Sequence, residues 1–169
     1  MQPEGSNAQS GSASEVLAGL AGLLNPEVDP SPHLAGISGC MDHPEEPVRV
    51  LAALVLTRIG ADAVPALARG ILPGQPTAVR TVAALGLATL GPPAAGAVRE
   101  LCRCLTDADA GLRNAAAVAL GKIGAPATAA LEVMLRFTDQ NTLLATVSAL
   151  ALCGPAAAHT ATNLEALAT

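Results

Sequence analysis

Apolar and small residues recur along this chain at the spacing of one helix face, and four such runs end in glycine. Val48–Gly60 reads VRVLAALVLTRIG, Val79–Gly91 reads VRTVAALGLATLG, Leu112–Gly124 reads LRNAAAVALGKIG, and Thr142–Gly154 reads TLLATVSALALCG. The glycines fall at 60, 91, 124 and 154, so the steps are 31, 33 and 30 residues. A period in this range predicts a stack of helical hairpins in which each repeat is covered by its neighbours. Aligned on the glycine, Leu56, Leu87, Leu120 and Leu150 form one column, and Ile59, Leu90, Ile123 and Cys153 another. Ala53, Ala84, Ala117 and Val147 form a third, of small residues that let helices approach.

Each run is followed by a turn, GADAVP, GPPAAG, GAPATA or GPAAAH. Glycine is expected to end the first helix in the left-handed conformation, and a nearby proline to start the second. The second helices carry apolar pairs four residues apart, Leu67/Ile71, Leu101/Leu105 and Leu131/Leu135, which make a single stripe. Upstream, Ser12 or Ser14 can cap a helix beginning near Glu15, and Pro30-Ser31-Pro32 opens another through Met41. The expected organisation is therefore a disordered polar tail over 1–11 and one domain over 12–169. Within it, a degenerate first repeat spans 12–43, and the others span 44–74, 75–107, 108–139 and 140–169. The last helix, HTATNLEALAT, lacks a C-capping signal, so the expectation is either a piece of a longer array or an end, around Leu164 and Leu167, that packs against another copy or a partner. The helix before it, LLATVSALAL, is apolar around most of its circumference and reads as buried.

The recurring phrase V-R-x-x-A-A-x-A-L-x-x-I-G, followed by A-x-x-P-x-L-x-x-x-L-x-D, resembles the HEAT-like repeat of the phycobilisome-lyase type. The resemblance covers about residues 32–168. It implies an all-α solenoid of about five repeats, akin to armadillo-like helical arrays, whose second helices line a concave, partner-facing side. It also implies an interaction scaffold as the commonest role, with a subunit of a bilin lyase complex as the alternative. The last copy departs from the pattern, because Leu143 stands where Arg49, Arg80 and Arg113 stand.

Composition narrows the function classes. Half of the 169 residues are hydrophobic, yet there is one Phe and no Trp or Tyr, so Ala, Leu and Val supply the apolar bulk. The net charge is −5 and unevenly spread: residues 1–47 hold seven acids and no Lys or Arg, while all nine basic residues lie between Arg49 and Arg136. An acidic cap on a mildly basic middle is not the field of a nucleic-acid binder. The four cysteines lack Cys-x-x-Cys spacing and read as reduced buried thiols. The first residues carry neither the basic nor the apolar region of a signal peptide, and no run is long enough to span a membrane. A cytoplasmic protein without cofactor is expected.

Candidate binding residues are mostly arginines. Arg49, Arg80 and Arg113 share a first-turn position where a cation opposes the helix dipole, so a compensating anion is expected. Asp42 offers itself to Arg49, and Asp107 or Asp109 to Arg113; Arg80 has no acid near in sequence. These six residues are expected to form a structural ladder between repeats. Arg69 and Arg103 are equivalent on the second helices and, with Arg99 and Arg136, form a candidate basic stripe for a protein partner such as an acidic segment. Cys40-Met41-Asp42-His43 is too few ligands for zinc, and no nucleophile, phosphate loop or carboxylate pair suggests catalysis.

Overall fold

A computed structural model describes residues 12–136 and 139–158. Among them it contains nine α-helices and no strand. They are α1 (Ala13–Gly22), α2 (Leu34–Gly39), α3 (Glu46–Ile59), α4 (Val64–Gly70), α5 (Thr77–Leu90), α6 (Val98–Cys104), α7 (Ala110–Ile123), α8 (Ala125–Met134) and α9 (Gln140–Cys153). The fold is the all-α solenoid that the period predicts. The tail over 1–11 and the final stretch over 159–169, including Leu164 and Leu167, lie outside the described residues.

The first helices α1, α3, α5, α7 and α9 pack side by side in chain order, while α6 packs on α8 and α4 on the 3-10 turn Pro92–Ala97. The core is one continuous seam of small and branched side chains. Leu56, Leu87 and Leu120 are fully buried, as are the second-helix anchors Leu67, Leu101 and Leu131. Ile37 and Met41 hold the anchor positions in the first repeat, which is why that degenerate unit still joins the stack. Helix approach is closest where glycine removes a side chain. A Cβ on Gly86 would lie 2.4 Å from Thr57 Oγ1, and one on Gly121 would lie 2.3 Å from Leu152 Cβ.

The turns differ from expectation in one respect. Gly60, Gly91, Gly124 and Gly154 have φ of 94°, 65°, 74° and 58°, but ψ between −131° and −144°. That is the mirror image of the extended region, which glycine alone enters readily, and not the left-handed helical region that asparagine also tolerates. The sharp reversal lets a 3-10 turn or the next helix begin at once, with proline in its first turn.

Two further expectations need correction. Ala53, Ala84 and Ala117 are buried, but Val147 is 51% exposed. That column faces the following repeat, and α9 is the last first-row helix among the described residues. Nor is α9 a buried helix: Leu144 and Leu152 also stand more than half exposed, Leu152 at a register where Arg58, Thr89 and Lys122 are exposed too.

Candidate protein-binding surface

The first-turn arginines are drawn into the stack by main-chain oxygens. Arg49 Nη1 donates to the carbonyls of His43 (2.7 Å) and Pro44 (3.4 Å). Arg113 Nη1 makes the same pair of bonds at the same spacing, to Asp107 (2.7 Å) and Ala108 (2.8 Å). Each guanidinium thus sits where a second helix has just ended, and the negative end of that helix offsets the unfavourable dipole of its own. The carboxylates expected to do this have other roles. Asp42 stands exposed in the turn Cys40–Asp42. Asp109 accepts from Leu112 N–H at 2.8 Å and caps α7.

Arg80, for which the sequence offered no nearby acid, takes one from the next repeat. Its Nη1 lies 2.7 Å from Asp107 Oδ2, with side chains only 12% and 22% exposed. Its Nε donates to the Ile71 carbonyl at 3.1 Å, and the Cys104 thiol approaches the same oxygen at 3.7 Å. The Asp109 N–H and the Arg80 guanidinium together hold the Asp107 carboxyl below the usual carboxylate range. Arg49 is less well served. The carbonyl of Met41, equivalent to that of Ile71, accepts from Gln75 Nε2 at 3.2 Å, and Arg49 Nε is buried without a partner.

Arg69, Arg99, Arg103 and Arg136 are exposed. Arg99 and Arg103 are one turn apart on α6, and Arg69 occupies the register of Arg103 on α4. Arg69 Nη2 lies 3.4 Å from the Ser38 carbonyl in the preceding repeat. On α8 the same register position is Val133, also exposed, so the column turns apolar before Arg136. Beside Arg103 a cleft of about 340 Å³ opens between repeats, walled by Ile71, Pro73, Arg80, Glu100 and Asp107. Its mixed apolar and charged lining suits the insertion of one partner side chain.

Other features were hidden from the sequence reading. Arg58, near the end of α3, donates to the carbonyls of Leu23, Asn25 (2.9 Å) and Val28 (3.2 Å), and so pins the loop after α1. The only prior sign was an arginine at the register held elsewhere by Thr89, Lys122 and Leu152. Leu54, Leu85 and Val118, at one position of the repeat, form an exposed apolar column on the first helices. Near the Cys-Met-Asp-His run, His43 Nδ1 accepts from Glu45 N–H at 3.1 Å, which makes the imidazole a loop cap. Among the described residues no group of three or more His, Cys, Asp or Glu is placed to hold a metal. Burial raises all four thiols, Cys102 to about 11, so they are protonated at neutral pH.

A family model described as HEAT repeats matches residues 70–153, from the end of α4 to the end of α9. Residues 70–153 are thus similar to HEAT repeats, a class in which stacked helix pairs commonly present extended surfaces to other proteins and typically perform no catalysis. No curated protein matches the sequence. No helix among the described residues is long and apolar enough to cross a membrane.

Proposed function

We propose that the protein is a non-enzymatic, cytoplasmic interaction scaffold that engages an acidic segment of another protein through Arg69, Arg99, Arg103 and Arg136. One contrast carries the reading. The first-helix arginines are spent on the seam between repeats, whereas the second-helix arginines are exposed on consecutive units beside a cleft. Arginine is also the one residue type favoured at binding hot spots that this chain has in number. The bilin-lyase alternative draws on the repeat resemblance alone, and visible absorbance after incubation with a bilin tests it. For the scaffold, affinity capture followed by identification of bound proteins is the experiment. Reversing Arg69 and Arg103 to Glu abolishes capture at physiological salt while helicity is retained. A capture profile unchanged by that double reversal contradicts the assignment.

A further inference from the structure

The outward charges of the chain are divided by position. Glu15, Glu27, Asp29, Asp42, Glu45 and Glu46 are all exposed, in a stretch that holds no Lys or Arg. Arg69, Arg99, Arg103, Lys122 and Arg136 are exposed and all follow it, where they outnumber the exposed acids Asp62, Asp109 and Asp139. Arg49, Arg80 and Arg113 add little to the outward field, because their guanidinium groups bond within the seam. In a stack each repeat touches its neighbours alone. Glu15, Glu27, Asp29 and Asp42 of the first repeat and the arginines two and three repeats later are therefore held apart within one copy. Between two copies they are free to meet.

We propose that the protein self-associates, with the acidic first helix pair of one copy docking on Arg99, Arg103 and Arg136 of another. The inference rests on reading the second-helix arginines as a recognition surface, and it names a second copy as the occupant. The two patches differ, so the contact is heterologous, and each pair leaves one acidic end and one arginine face open for a further copy. Attraction between separated exposed charges acts over the screening length, so the association must weaken steeply with salt.

Sedimentation velocity on the full chain tests this across a concentration series at about 0.01 M and about 1 M ionic strength, where the screening lengths are roughly 30 Å and 3 Å. The expected result is a sedimentation coefficient that rises with concentration at low salt and stays monomeric at high salt. Reversing Arg99, Arg103 and Arg136 to Glu removes the low-salt rise, and so does reversing Glu15, Glu27 and Asp42 to Lys. An equimolar mixture of the two variants restores it, since the acidic end of the first meets the arginines of the second. Circular dichroism checks the fold of each variant; where a reversal lowers helicity, the set Glu15→Gln, Glu27→Gln, Asp42→Asn is read instead. A wild-type protein that stays monomeric at low salt overturns the proposal, as does association that survives either reversal or high salt, or a mixture that fails to recover. If the wild type is monomeric yet Arg69→Glu/Arg103→Glu loses a captured protein, the scaffold reading stands and only self-association falls.

Discussion

Helical glycines in this chain come in two kinds. Gly86 and Gly121 lie under Thr57 and Leu152 of neighbouring helices, so a methyl group there must displace a packed side chain. Gly19 and Gly36, inside α1 and α2, have open space where a Cβ would stand and no positive φ. Gly121→Ala is expected to destabilise by about 1–3 kcal/mol through overpacking. Gly19→Ala is expected to stabilise by about 0.5–1 kcal/mol, since it only removes freedom from the unfolded chain and improves helix propensity. Urea unfolding of the two variants checks both signs. The cysteines give a second test. Cys102, at about 11, and Cys104 are buried in α6, whereas Cys40 is half-buried, so an aromatic disulfide reagent at pH 8 modifies Cys40 first. Mass spectrometry of the early product identifies the site, and early modification of Cys102 contradicts the packing of α6.

At the level of the helix pair, the inter-repeat seam decides how firmly one unit follows the next. Asp107→Asn removes the ion pair to Arg80 and weakens the bond from Asp109 N–H, at an expected cost of about 1 kcal/mol. The sign with pH follows from the depressed Asp107 pKa. Its contribution is present above the unfolded value near 3.9 and is lost as pH falls through the folded value, because the unfolded chain then binds the proton more readily. Wild type and Asp107→Asn should therefore differ in melting temperature at pH 7 and converge as the pH falls below the depressed folded value. A constant gap across that range would place the effect outside ionisation. The helices, their order and their buried columns were legible in the sequence, because glycine and the apolar period both report local chemistry. The seam was legible only in part. The first-turn register of Arg49, Arg80 and Arg113 was visible, but their partners are main-chain oxygens and an acid 27 residues ahead, which no side-chain pattern encodes. The bonds from Arg58 across 30 and 33 residues were invisible for the same reason.

Across the whole molecule two faces compete for the role of docking surface. One carries Arg69, Arg99, Arg103 and Arg136 on and after the second helices; the other carries the exposed column Leu54, Leu85 and Val118 on the first. Apolar columns of this kind also mark interaction sites, so the choice rests on measurement. The sequence suggested the basic face from the equivalence of Arg69 and Arg103 but gave no hint of the apolar one, since Leu and Val read alike in core and surface columns. The direct test compares two variants for capture of the same bound protein, Arg69→Glu/Arg103→Glu and Leu54→Ser/Leu85→Ser, with helicity matched. The account predicts that the arginine reversal abolishes binding and that the leucine variant binds as the parent does. Loss of binding in the leucine variant alone, with the arginine variant intact, would contradict it.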